Sequence, residues 1–111
     1  MAEIINMTRK ENISDYDAVA AKLTEACGVK QVNATKVGED SVVFSFEKYF
    51  ARTNSFASLT VILENTAEGN KATIIASGAG ESPLNFSFGA NAGFADKAQK
   101  ILCKEFGYTV A

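Results

Sequence analysis

The chain has 111 residues, 11 basic against 13 acidic side chains for a formal net charge of -2, eight Phe, no Trp, one Pro and no His. Without His the commonest general base and the commonest metal ligand are missing, which excludes Ser-His-Asp, Cys-His and His-rich zinc chemistry. Hydrophobic residues at 47% against 22% charged exclude disorder for most of the chain, and a chain of this length buries roughly two thirds of its unfolded surface, so one domain over residues 1–111 is expected.

The N-terminal stretch Glu3 to Met7 reads as an added edge strand. From Ser14 to Cys27 the apolar residues Tyr16, Val19, Ala20, Leu23 and Cys27 recur at spacings of three and four, which lines one stripe of a helix. Ser14 followed by Asp17 has capping-box spacing, and Gly28 is placed to stop the helix in a left-handed conformation.

From Val32 the period changes to two, giving strands near Val32–Val37, Ser41–Phe50, Phe56–Glu64, Lys71–Ser77 and Leu84–Phe88. Gly38-Glu39-Asp40 and Glu68-Gly69-Asn70 have the residues of tight hairpin turns, and Arg52 to Ser55 reads as a longer tip. Connections this short make neighbouring strands antiparallel. From Asn91, the expected N-cap, to Phe106 the spacing is helical again, with Phe94, Ala95, Ala98, Ile101, Leu102 and Phe106 as the stripe and Gly107 as the stop. Asp96 in the early turns and Lys100 and Lys104 in the late ones match the helix dipole.

The strands divide into two faces. Val42, Phe44, Phe46 and Phe50 share one side with Ala57, Leu59, Val61, Leu63, Ala72, Ile74, Ala76, Leu84, Phe86 and Phe88, which makes it the core side. The other side holds Ser45, Glu47, Tyr49, Ser58, Thr60, Thr73, Ser77, Asn85 and Ser87, interrupted by Val43, Ile62 and Ile75. Two helices cover one face only, so the second meets water or another subunit. The fold class that follows is α+β, a two-layer sandwich: an antiparallel meander of four to six strands with both helices on one face, in a TATA-binding-protein-like or short helix-grip arrangement. A ferredoxin-like order is disfavoured, because no segment in the middle of the strand run has a period of 3.6.

An isoelectric point near 5.1 with Arg9-Lys10 as the one adjacent basic pair argues against nucleic acid. A double-stranded-RNA-binding domain would need a basic cluster on the last helix, where Asp96 and Glu105 dilute Lys97, Lys100 and Lys104. No segment approaches the ~20 apolar residues that span a bilayer, so no membrane is expected. Two cysteines are too few for a disulfide framework and the first residues lack a signal-peptide pattern, so a reducing cytoplasm is the expected location.

Few residues suggest chemistry. Ser77-Gly78-Ala79-Gly80-Glu81-Ser82-Pro83 lacks the Lys and following helix of a phosphate loop and reads as a turn. Gly89 to Gly93 runs into a helix start but has no basic side chain nearby in sequence. Glu39 and Asp40 are solvated turn residues, not an acid and base pair. Cys27 reads as a buried small hydrophobe, and neither it nor Cys103 has zinc-site spacing, so no metal and no cofactor is expected. Glu47, Tyr49 and Arg52 form the one convergence of acid, phenol and guanidinium, a candidate small-ligand site on an otherwise ordinary cross-strand ladder. Phe44, Phe46, Phe86 and Phe88 are candidates for an apolar pocket between helices and sheet, though the same residues also fill a plain core.

The run Phe46-Glu47-Lys48-Tyr49-Phe50, the strand Ser58-Leu59-Thr60-Val61-Ile62-Leu63 and the stretch Ala76-Ser77-Gly78 leading to Phe86-Ser87-Phe88-Gly89 resemble a small uncharacterised bacterial family of single domains without an assigned function. The resemblance spans about Ile13 to Phe106, with Gly78-Ala79-Gly80 standing where adjacent glycines are expected, and it implies an element order but no substrate and no catalytic residues. Three readings of function follow. The first is a non-enzymatic module that self-associates as a homodimer through the free sheet face or an edge strand, motivated by Val43, Ile62 and Ile75. The second is a carrier of a small apolar ligand, and the third, ranked last, is an enzyme using Glu47, Tyr49 and Arg52.

Overall fold

A computed structural model describes residues 3–28, 33–50, 55–78 and 87–111. Six strands and two helices follow in the order β1 (Glu3–Arg9), α1 (Tyr16–Cys27), β2 (Asn33–Val37), β3 (Ser41–Phe50), β4 (Ser55–Thr66), β5 (Gly69–Gly78), α2 (Ser87–Phe106) and β6 (Thr109–Val110). The strands form one antiparallel sheet in the order β2-β3-β4-β5-β1-β6. The expected α+β class therefore stands.

The alternation of the strands accounts for the layers. Val42, Phe44, Phe46, Leu59, Val61, Leu63, Ala72, Ile74 and Ala76 are all buried, and Val19, Leu23 and Cys27 of α1 with Ala95, Ala98 and Leu102 of α2 are buried in the same core. Helix α2 packs on β5 and β4 and against α1, so both helices lie on this face. Leaving any one of these large side chains in water instead would forgo about 1.5–3 kcal/mol.

Several expectations need correction. The N-terminal strand is longer than expected and is not an edge: β1 pairs with β5 from Glu3↔Ala76 to Arg9↔Asn70, and β6 closes its other side through Met7↔Val110 and Thr8↔Thr109. The N-cap of α1 is Asp15, whose carboxylate accepts from the Ala18 amide at 3.1 Å, so Ser14 does not form the capping box. Gly28 does stop α1 with φ 66°. Gly69 and Asn70 already belong to β5, which moves the β4–β5 turn back to Ala67-Glu68.

The largest difference concerns Leu84–Phe88. Ser87 and Phe88 open α2, while Leu84 to Phe86 lie outside the described residues. Five residues of alternation do not separate a strand from a turn of helix, and tertiary context here carries the helix through Gly89 and Gly93 against a cost of about 1 kcal/mol each. Asn91 is therefore inside the helix and not its cap, and Gly89–Gly93 lies within the first two turns of α2 instead of leading into its start. Asp96 loses its early-turn position too; it pairs instead with Lys100 one turn on, at 2.9 Å. The end of α2 is as expected, with Gly107 at φ 74° and the Tyr108 amide donating to the Leu102 carbonyl at 3.2 Å.

Candidate functional site

Two regions are built differently from an ordinary core or a solvated surface. The first is the sheet face opposite the helices. The ladder registers place Val43 opposite Ile62 and Ile75 opposite Ile4, and because Ile62 stands opposite Thr73, Ile62 and Ile75 are diagonal neighbours. The four β-branched side chains thus form one diagonal stripe across β3, β4, β5 and β1. Ile4 is 61% exposed, and Val43, Ile62 and Ile75 are half-buried. Around the stripe lie Ser45, Ser58, Thr60, Thr73, Ser77 and Asn6, all uncharged. Among the described strand positions of this face, the formal charges are Glu47 at one end and the facing Glu64 and Lys71 at the other.

The second region lies at the end of the sheet where β1, the β4–β5 turn and the last residues of the chain converge. Asn65 and Asn70 are opposite each other and continue the core-facing parity of Leu63 and Ala72, so two amides stand where the pattern calls for apolar groups. Both are satisfied. Asn65 Oδ1 accepts from the Ile13 amide at 2.9 Å and from Asn70 Nδ2 at 2.7 Å, and Asn65 Nδ2 donates to the Ile13 carbonyl at 2.9 Å and the Tyr16 hydroxyl at 3.1 Å. That is the full capacity of one amide. Fully buried Tyr108 donates its hydroxyl to Asn70 Oδ1 at 2.5 Å. Burial pushes the Tyr108 hydroxyl far above the usual phenol range; the Arg9 guanidinium, 5.8 Å from the ring centre, pulls it partly back, and Tyr16 raises it slightly.

Arg9 closes this end from outside. Its Nη1 donates to the Phe106 carbonyl at 2.8 Å, its Nε donates to the Glu11 carbonyl at 2.8 Å, and its Nη2 reaches the Glu11 carboxylate at 3.5 Å. A cation at the last carbonyls of α2 also offsets the helix dipole. Beside it lies a cleft of about 610 Å³ lined by residues of β1, β5, the β4–β5 turn and the approach to β6. Gly69 permits the close approach of these backbones: with φ 129°, a Cβ there would stand 2.1 Å from the Arg9 carbonyl oxygen.

The residues expected to form a site are distributed as follows. Glu47 is exposed on the open face opposite Ser58, beside an open hollow of about 390 Å³ that also touches Ser45 and Thr60. The Tyr49 side chain and Arg52 lie outside the described residues. Phe44 and Phe46 are core residues beneath the helices, and the Phe86 and Phe88 side chains lie outside the described residues. Cys27 is buried in α1 and Cys103 exposed on α2. Among the described residues, no three Cys, Asp or Glu side chains gather as a metal ion would require, and no helix is long and apolar enough to cross a membrane.

The Asn65–Asn70–Tyr108 chain escaped the sequence reading, although it left a signal. Polar residues at core parity on two strands joined by a tight turn mark a buried polar pair.

A family described as a family of unknown function (DUF6054) matches residues 7–105. The chain belongs to this family. The match runs from Met7 of β1 to Glu105 of α2, so it takes in Val43, Ile62 and Ile75 of the open face but not Ile4, and Asn65 and Asn70 of the polar network but not Tyr108. Membership agrees with the expected single-domain family without an assigned function, and the family's description assigns no activity to either region. No curated protein matches the chain.

Proposed function

We propose that this DUF6054 member is a non-enzymatic module that acts by self-association, two copies packing their open sheet faces together as a homodimer. The observation that carries this reading is the diagonal stripe Val43–Ile62–Ile75–Ile4 within an uncharged field. A sheet face that meets water normally alternates with Lys and Glu, whereas interface centres are depleted of charge and apolar patches rimmed by polar groups mark association sites.

Area and charge favour a second copy as the occupant. Six strands spaced about 4.8 Å apart and about seven residues long present roughly 600 Å² of flat area, before side-chain relief is counted. That approaches the ~800 Å² of accessible surface per partner in a stable complex. A two-fold interface sets the face against itself, and with charges only at its two ends the centre carries no like-charge pair to oppose it. A cytoplasmic, bacterial setting fits the low cysteine count and the family resemblance, and self-association needs no cofactor.

Light scattering across a concentration series tests the reading. The expected mass at high micromolar concentration is twice the 11.8 kDa of one chain; a strict monomer there overturns it.

A further inference from the structure

We propose that the cleft at the end of the sheet binds a small molecule through a phosphate group, held by Lys10, Lys71 and Thr8. This inference does not rest on self-association, although Thr8 and Lys71 lie on the same open face: they stand at its charged end beside Glu64, two same-face positions along β1 and β5 from Ile4 and Ile75 of the stripe.

The argument rests on which donors around the cleft already have acceptors. Each of the three Arg9 nitrogens already donates, to the Phe106 carbonyl, the Glu11 carbonyl and carboxylate, and the Asn12 carbonyl. Thr66 donates to the Gly69 carbonyl, and Thr109 reaches the Thr8 carbonyl at 3.5 Å. Three side-chain donors of the cleft have no described partner at all. Lys10 and Lys71 form no ion pair with any described residue, Lys71 not even with Glu64, which it faces across the ladder, and the Thr8 hydroxyl has no described partner. All three line the same cleft, whose volume of about 610 Å³ lies within the ~300–1,000 Å³ of small-molecule sites.

The charge balance favours an anion. Arg9 engages Glu11, which leaves Glu68 as one acid against two ammonium groups. The α2 C-terminus would repel an anion, but Arg9 on its last carbonyl offsets that field. The available donors are point charges and a hydroxyl, not the planar fork that matches a carboxylate in two parallel bonds, so a tetrahedral dianion approached from several directions fits better. The floor is fixed, because Asn70 lines the cleft while locked between Asn65 and Tyr108.

The test is a titration with inorganic phosphate at constant ionic strength, read by amide chemical shifts, with acetate in a parallel arm. The proposal predicts saturable shifts confined to Thr8–Glu11, Gly69–Lys71 and Gly107–Thr109, with Ile62 and Ile75 unmoved. Lys10→Gln and Lys71→Gln each weaken binding about tenfold, and the double variant abolishes it. Both lysines are exposed, so the variants keep the wild-type spectrum elsewhere. Shifts that fail to saturate, that spread over lysines across the whole surface, or that persist in the double variant overturn the site. Acetate binding as tightly as phosphate overturns the phosphate assignment.

Discussion

Replacing Asn70 by Ala tests whether the polar chain at the sheet end holds the fold together there. The amide accepts from the Tyr108 hydroxyl and donates to Asn65 Oδ1. Asn65 Oδ1 keeps a second donor, the Ile13 amide, so it is not orphaned. The Tyr108 hydroxyl is: its residue is 0% exposed and Asn70 Oδ1 is its one described acceptor. A buried donor without a partner costs about 1–3 kcal/mol, and the lost packing adds about 1, so Asn70→Ala should destabilise by roughly 3 kcal/mol. Tyr108→Phe leaves Asn70 Oδ1 without that donor and should cost about 2 kcal/mol. Because the double variant strands no hydroxyl, its cost should fall short of the sum by at least about 1 kcal/mol. Urea unfolding followed by circular dichroism measures all three, with exposed Lys22→Ala as a control expected within about 0.5 kcal/mol of wild type. An Asn70→Ala effect no larger than that control, or strict additivity of the pair, refutes the reasoning.

Gly69→Ala should cost about 3 kcal/mol or more, from a Cβ 2.1 Å from the Arg9 carbonyl oxygen at positive φ. Gly38→Ala, with open space around it at φ 71°, should cost only about 1–2; comparable unfolding midpoints for the two would contradict this. In alkaline solution, Tyr108 ionises in the unfolded chain near pH 10 but resists ionisation when buried. Its stabilisation is thus complete below about pH 10 and declines above it by up to about 1.4 kcal/mol per pH unit, and Tyr108→Phe should flatten that slope in pH-dependent melts. Asp15→Ala should cost about 1 kcal/mol and Ser14→Ala markedly less, since Asp15 caps α1; thermal melts of both variants in parallel decide it, the opposite ranking contradicting the assignment.

The meander and the two helical stripes were legible because their signals are long. Val42, Phe44 and Phe46 of β3 and Leu59, Val61 and Leu63 of β4 alternate with mostly polar neighbours over long strands, and Val19, Leu23 and Cys27 repeat over nearly the whole of α1. The start of α2 was not legible, because five alternating residues and two glycines imitate a strand followed by a loop. The position of β1 was hidden for another reason. Its partners β5 and β6 lie more than sixty residues away in sequence, and its local pattern does not say which of them it joins. Of the open-face stripe, Val43, Ile62 and Ile75 were visible from parity alone, but Ile4 entered only through the register with Ile75. The end cleft depends on residues from three separated segments, and no local pattern announces such a meeting.

Sedimentation velocity of wild type and Ile62→Lys at the same high micromolar concentration tests the central claim most directly. Ile62 lies on β4, two strands in from the β2 edge and three from the β6 edge, so edge-to-edge pairing does not involve it. The account predicts a dimer for wild type and a folded monomer for Ile62→Lys, with melting no lower than that of wild type diluted to its monomeric range. A variant that still sediments as a dimer would contradict face-to-face association.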